Sequence, residues 1–175
     1  MTTIEGGPSG QPAVERPPDP RPDFIAAMAH LPALVTVVAT VGPDGPAGCT
    51  VSAVLSLSLD PPSLLLSLST TSRTAREILR TGGFAVNALS AEQVELAQSF
   101  ATRATAHRFD GVDYHLRHGQ PVLERAASTV VCTVTRTASF GDHVLIAGEA
   151  LWSAFDASRV PMIRLRRSYL PAART

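Results

Sequence analysis

The chain has 175 residues, with 15 basic and 15 acidic side chains that cancel to no formal net charge, and 45% of its residues are hydrophobic against 17% charged. At a mean hydropathy of +0.13, one domain with a sizeable core is expected and general disorder is not. A neutral chain has no broad attraction for nucleic acid or an anionic membrane, so neither is expected as a partner. Every basic residue is arginine, which excludes a Schiff-base lysine or a phosphate-loop lysine. Cys49 and Cys132 lie far apart and outside any Cys-x-x-Cys or Cys/His cluster. No metal site or disulfide scaffold is expected, and the thiols suit a reducing cytoplasm. No apolar run approaches the roughly 18 residues of a membrane span, and the first residues lack a signal peptide's apolar stretch, so a soluble, unexported protein is expected.

In chain order, residues 1 to 22 are rich in Gly, Pro and charge, ending in Pro17-Pro18-Asp19-Pro20-Arg21-Pro22. They are expected as a flexible tail before one domain over 23 to 175. Asp23 suits the N-cap of a short helix with Phe24, Ile25, Met28 and Leu31 on one side, closed by Pro32. Leu34 to Val41 is β-branched and runs into the turn residues Gly42-Pro43-Asp44-Gly45-Pro46, a strand and hairpin. From Val51 to Leu59 apolar residues alternate with a second set that is mostly serine, which predicts one strand with a core face and a polar lining. Asp60-Pro61-Pro62 turns the chain into a short strand over Leu64 to Leu68.

Thr71 or Ser72 can N-cap a helix through Ala75, Ile78 and Leu79 that stops near Gly82-Gly83. Phe84 to Leu89 predicts a strand. Ser90 and Gln93 form a capping-box pattern before Val94, Leu96, Ala97 and Phe100 on another helix. Residues 101 to 124 are expected as loop. Thr129 to Thr137 and Val144 to Trp152 predict two longer strands around Ser139-Phe140-Gly141-Asp142-His143, and Pro161 to Leu165 an edge strand. Strands with short turns, interrupted by two helices, lack the alternation of a doubly wound sheet; an antiparallel barrel with accessory helices is expected.

Three segments are candidates for chemistry. Gly48 to Ala53, continued to Pro62, is either a ligand wall or a strand with one wet face. Ser69 to Thr74 stands at a helix start, where free N–H groups, hydroxyls and Arg73 suit a phosphate, although a plain Ser/Thr cap has the same composition. Gly141-Asp142-His143 is a motif or ordinary turn material. His30, His107, His115 and His118 are expected on the surface, not on a metal. Arg108 can anchor a loop or face an anion, and Arg164, Arg166 and Arg167 are expected on a solvated face. No nucleophile elbow, phosphate loop or Rossmann glycine fingerprint is present.

Taken in order, the segments resemble the flavin reductase family of FMN- or FAD-binding split barrels. The likeness runs through Phe24 to Met28, Val35-Thr36-Val37-Val38, Gly48 to Ala53, Ser56-Leu57-Ser58-Leu59-Asp60-Pro61-Pro62, Ser69 to Thr74 and Phe84-Ala85-Val86-Asn87. It continues in Phe100-Ala101, Arg108-Phe109-Asp110-Gly111-Val112, Gly141-Asp142-His143 and Gly148-Glu149. The resemblance implies a mainly β fold, a six-stranded antiparallel split barrel with accessory helices, and a homodimer. It implies an NAD(P)H:flavin oxidoreductase that passes hydride from NADH or NADPH to FMN or FAD and supplies reduced flavin to a partner monooxygenase. Its rivals are a flavoprotein acting directly on a small organic substrate and a noncatalytic flavin-binding dimer.

The resemblance also implies roles. Thr50, Val51, Ser52, Ala53 and Val54 would hold the isoalloxazine edge, with Ser52 near the reactive nitrogen and Ser56 and Leu57 beneath the ring or ribityl chain. Thr71, Ser72, Arg73 and Thr74 would take the phosphate, and Phe100 and Ala101 would complete the pocket. Asp142, His143 and Tyr169 would seat the nicotinamide. Because the flavin carries the redox chemistry, no side-chain nucleophile is needed. Two departures stand out: Leu34 where the family usually has glycine before its first strand, and Arg164, Leu165, Arg167 and Leu170 in place of the aromatics, glycine and basic residue around the C-terminal tyrosine.

Overall fold

The computed structural model describes residues 19 to 172. Helix α1 (Arg21–Ala29) precedes strands β1 (Ala33–Leu34), β2 (Thr36–Gly42), β3 (Gly45–Val51), β4 (Val54–Leu59) and β5 (Pro62–Ser69). Helix α2 (Arg73–Thr81), β6 (Gly83–Ala88) and α3 (Val94–Thr102) follow, then a short 3₁₀ turn, Thr105–His107. The chain ends in β7 (Tyr114–Arg117), β8 (Gln120–Leu123), β9 (Ser128–Phe140), β10 (His143–Phe155), β11 (Met162–Leu165) and β12 (Ser168–Pro171).

The main sheet has seven antiparallel strands in the order β3-β2-β6-β9-β10-β5-β4. Its two edge strands, β3 and β4, are consecutive in the chain and separated only by Ser52 and Ala53. Seven strands at a spacing of about 4.8 Å would hold the edges of a flat sheet about 29 Å apart. The three peptide units from Val51 to Val54 span at most about 11 Å. The sheet must therefore curl until its edges meet at Ser52-Ala53, and the bond from the Ser67 N–H to the Ala53 carbonyl at 3.0 Å continues the β4–β5 pairing up to that bend. The outcome is the expected mainly β, antiparallel split barrel with accessory helices.

The barrel interior holds Val38, Leu66, Phe84, Val86, Cys132 and Ile146, and Ala75 and Ile78 of α2 pack into the same cluster. Outside, α3 and the C-terminal hairpin cover Val35, just before β2, and Val37 and Ala39 of β2 with Ala97, Phe100 and Met162. Residues on both faces of β2 are thus buried, which is why Val37, Val38, Ala39 and Val41 show no apolar/polar alternation and its two threonines, Thr36 and Thr40, are buried with them. Gly148 allows the closest approach in the core: a Cβ there would lie 2.5 Å from the Phe84 ring. Ser72 caps α2 by accepting from the Ala75 N–H at 3.3 Å, and Gly82 ends it at φ 73°, as its sequence predicts.

Several expectations are corrected. The strand expected over Val51 to Leu59 is two strands, and its supposed core face points outward, with Leu55, Leu57 and Leu59 exposed. The phase is lost at Ser52-Ala53 and again at a bulge between Ser56 and Ser58, and an edge strand has no layer over its outer face. Helix α1 begins at Arg21, not Asp23, with the Arg21 N–H bonded to Asp19 at 3.1 Å. Pro22 fits this first turn because no helical N–H is required there. No residue of α1 is buried, and its apolar side chains Phe24, Ile25 and Met28 stay largely exposed. Residues 1 to 18 of the expected tail lie outside the described residues.

The segment expected as loop contains the β7–β8 hairpin, turning on His118 (φ 47°) and Gly119 (φ 74°). The two positive φ values match the twist of the flanking strands. The capping box closes a turn early: Gln93 Oε1 accepts the Ser90 N–H at 3.0 Å, and α3 begins only at Val94. Strand β12 completes a three-stranded sheet, β1-β11-β12, that the sequence pattern did not reveal.

Candidate functional site

Around Gly48 to Val51 the backbone is held from both sides. Thr36 Oγ1 donates to the Val51 carbonyl at 2.6 Å and Thr50 Oγ1 to the Ala97 carbonyl of α3 at 2.7 Å. Arg108 donates to the Gly48 carbonyl at 2.9 Å and the Arg103 carbonyl at 3.1 Å, so it anchors the loop to β3. A Cβ on Gly48 would sit 3.0 Å from Phe100 and 3.2 Å from Phe109, two rings packed edge to face at 4.9 Å. Behind this segment lies Asn87, opposite Val37 in β2, which is in turn opposite Thr50. Asn87 is fully buried and fully bonded: its amide donates to the Val37 and Pro121 carbonyls, and its oxygen accepts from the Leu123 N–H and Thr129 Oγ1. Such satisfaction is what burial of a carboxamide requires.

Past Val51 the chain leaves the sheet, and Ser52 and Ala53 are exposed. A cleft of about 140 Å³ is lined by Thr50, Val51, Ser52, Ala101, Arg164 and Tyr169 among others. Five residues expected at a ligand, from three distant segments, are thereby brought together. A second cleft of about 430 Å³ meets the other side of Ser52 and Ala53, walled by Phe24, Ile25 and Met28 and by Arg164, Arg166 and Arg167. Arg164, expected on a solvated face, is the residue missed, and no local signal reveals it. Arg166 and Arg167 form the β11–β12 turn at φ 50° and 68°, with the Arg166 N–H bonded to the Ala29 carbonyl at 2.7 Å. That left-handed backbone favours glycine, so two arginines hold it here at a conformational cost.

The start of α2 is a separate, polar corner. Ser69 Oγ and Thr71 Oγ1 are 2.9 Å apart, and the Thr70 N–H and Oγ1 both donate to the Asp142 carbonyl, at 2.9 and 3.1 Å. Thr74 is 1% exposed, and its hydroxyl has no hydrogen-bond partner among the described residues. The Cys49 thiol lies alongside Ser72 and Thr74, but no contact to Thr74 Oγ1 meets hydrogen-bond geometry, and a thiol is a weak partner. Unmet buried hydroxyls are rare in folded proteins. With the free N–H groups of the first helical turn and Arg73, this one fits a phosphate. Burial pushes the Cys49 thiol above its ordinary range and the Cys132 thiol up to about 12. Neither is a thiolate nucleophile.

His143 faces Ser69 across the β5–β10 ladder, and its Nδ1 is 2.7 Å from Asp142 Oδ1. The hydrogen bond to His143 holds the Asp142 carboxyl below its usual range. The expected nicotinamide group is therefore divided within one chain: Asp142 and His143 stand beside Ser69 to Thr71, whereas Tyr169 lines the Ser52 cleft. Phe100 is fully buried, supporting Gly48 from below, and only Ala101 of that pair reaches a cleft. Ser56 and Leu57 are exposed on β4 and line neither of the Ser52 clefts. Among the described residues no cluster of His, Cys, Asp and Glu could hold a metal, and no helix is long and apolar enough to cross a membrane.

Residues 28–172 match the model of the flavin reductase like domain, and the chain belongs to this family. It is 34% identical over 165 residues to the FMN reductase (NADH) RutF of Ancylobacter novellus, covering 93% of this chain and 91% of that protein. Among solved structures, the NADH:FAD oxidoreductase SgcE6 of Streptomyces globisporus superposes with a TM-score of 0.84 at 28% identity, over 94% of this chain and all of the other. Nitrilotriacetate monooxygenase component B from Mycobacterium thermoresistibile gives 0.83 at 26% identity, over 87% of each chain.

Proposed function

We propose that this chain is an NADH-dependent flavin reductase whose reduced flavin serves a separate monooxygenase. The observation that carries the reading is the convergence of Thr50, Val51, Ser52, Ala101 and Tyr169 on one cleft, with a phosphate-suited helix start on the same barrel. The relatives named as NADH-dependent FMN or FAD reductases support the activity, and the monooxygenase component supports the partner. When bound, the flavin supplies the hydride acceptor. Thr50 to Val54 would hold the ring edge, with Ser52 near its reactive nitrogen, and Ser56 and Leu57 would serve the ribityl side. Thr71 to Thr74 take the phosphate. Phe100 shapes the pocket from below, and Asp142, His143 and Tyr169 seat the nicotinamide. NADPH is the alternative donor, and a cytoplasmic setting suits both thiols.

A homodimer is part of the same proposal. Leu55, Leu57 and Leu59 are 52%, 50% and 87% exposed on an edge strand, an apolar surface that a second copy would cover. A second copy also offers a way to bring His143 of one chain to the Ser52 cleft of the other. The proposed domain runs from residue 23 to 175.

The test is oxidation of NADH by the purified full chain with and without FMN or FAD. Turnover dependent on added flavin supports the reading; no turnover with either flavin overturns it. A second reading, a flavoprotein acting directly on an anionic organic substrate, draws on the larger cleft beside Ser52 with its α1 wall and three arginines. Flavin retained through purification without NADH turnover would favour it.

A further inference from the structure

We propose that the cleft between α1 and the β11–β12 turn binds an aromatic carboxylate, a ligand distinct from both flavin and hydride donor, and that its occupancy restrains flavin reduction. The binding stands on the cleft alone, and the restraint rests on the reductase reading above. The cleft has a volume of about 430 Å³, within the roughly 300–1,000 Å³ of small-molecule pockets.

Its lining joins two chemistries. Phe24, Ile25 and Met28 of α1 give it an apolar wall, and all three stay largely exposed. Such a wall calls for an apolar body against it. Arg164, Arg166 and Arg167 add three cationic side chains. Among the described residues, no acidic side chain lines the cleft and none of the three arginines has an ion-pair partner. Like charges gathered without a counter-charge repel one another, and the two oxygens of a carboxylate match the guanidinium fork. Phe24 and the guanidinium planes are both surfaces on which a ring can stack, which favours an aromatic body.

The backbone supports a built site. Arg166 and Arg167 hold their places at φ 50° and 68°, where glycine would be less strained, and a function for their charge accounts for that cost. The Arg166 N–H bond to the Ala29 carbonyl at 2.7 Å ties the turn to the end of α1. The two walls are therefore joined before a ligand arrives, and little ordering is needed.

The position in the fold sets the role. Ser52 and Arg164 line this cleft and also the smaller one with Thr50 and Tyr169, and Arg164 stands opposite Tyr169 in the β11–β12 ladder. An occupant of the larger cleft lies across Ser52 from the smaller one. A carboxylate paired with Arg164 cancels a cation at the smaller cleft, which an anionic hydride donor must approach. Occupancy is therefore expected to raise the KM for NADH.

The test titrates the full chain with naphthoate by calorimetry, with naphthamide as the neutral counterpart and acetate as the charge without a ring. The proteins are the parent, Arg167→Gly, Arg164→Gln and Met28→Ser, with melting curves to establish that each variant folds. Naphthoate is expected to bind the parent about tenfold tighter than naphthamide, with acetate weaker than either, and each arginine variant to lose about tenfold for naphthoate alone. Met28→Ser is expected to weaken both ring compounds about threefold. Equal affinity of the parent for naphthoate and naphthamide overturns the proposal, as does failure to bind naphthoate below about 1 mM. Arginine variants that raise the KM for NADH yet bind naphthoate as the parent does also overturn it, because the cleft would then serve the phosphates of the donor. Naphthoate that binds without raising the KM for NADH overturns the restraint. Absence of flavin-dependent NADH turnover in the parent overturns the reductase reading, while calorimetry still decides the binding, so the two failures are separable.

Discussion

Two parts of the site are built by opposite means. Around Gly48 to Val51 the chain is gripped by packing: tight space for a Cβ at Gly48, side-chain bonds from Thr36, Thr50 and Arg108, and Asn87 buried two strands behind. At Ser69 to Thr74 the surface is polar and one buried hydroxyl has no partner. The first arrangement suits a rigid planar ring, for which shape and position matter; the second suits an anion, for which donors matter. Substitutions should therefore separate them: the packed side loses stability and binding together, the polar side loses binding alone.

The largest effect is expected at Asn87. Asn87→Leu strands two carbonyls, one N–H and one hydroxyl, each worth about 1–3 kcal/mol when unsatisfied, and a loss of about 3 kcal/mol or more in chemical denaturation is expected. A loss below about 1 kcal/mol would show that water replaces these bonds. Gly48→Val drives a side chain into Phe100 and Phe109 and should cost about 2 kcal/mol while weakening FMN and riboflavin equally. Arg167→Gly has the opposite sign: relief of the left-handed backbone should raise stability by about 1 kcal/mol.

Thr74→Val divides the two regions most sharply. Removing a buried hydroxyl without a partner should leave stability unchanged or raise it by up to about 1 kcal/mol. FMN binding should weaken, and riboflavin, which lacks the phosphate, should bind as before. Equal weakening of both would place the ring, not the phosphate, at this corner. The smallest effect concerns Asp142. Folding lowers its pKa from the ordinary 3.8, chiefly through the bond to His143. That contribution is present above the ordinary carboxylate range and is lost as pH falls through the lowered value. Carboxyl NMR titration should show a value below 3.8 that returns in His143→Ala, the variant expected to raise the KM for NADH while sparing flavin affinity.

Local signals in the sequence were sufficient where one residue's chemistry decides a boundary. Ser72 and Gly82 bracket α2 because a hydroxyl cap and a left-handed stop act within one turn. The turns at 42 to 46 and 141 to 142 are legible for the same reason. The expected ligand residues Thr50, Val51, Ser52, Ala101 and Tyr169 do meet, although what linked them was the order of motifs and not their spacing. The faces of β4 were misjudged because alternation says that two faces differ, not which one another layer covers. His118-Gly119 and Arg166-Arg167 concealed two hairpins, since neither pair is a usual turn signal apart from its glycine.

The sequence by itself determined an antiparallel β protein with helices following Thr71-Ser72 and the Ser90–Gln93 pattern, no lysine chemistry and an ordered set of flavin reductase motifs. All of these depend on residue type and short-range period. The tertiary structure decided that the sheet closes through Ser52 and Ala53, that Arg164 joins the Ser52 clefts, and that His143 and Tyr169 stand apart within one chain. These depend on which distant strands become neighbours: the Thr50–Ala97 and Asn87–Pro121 bonds join residues whose proximity no local pattern encodes.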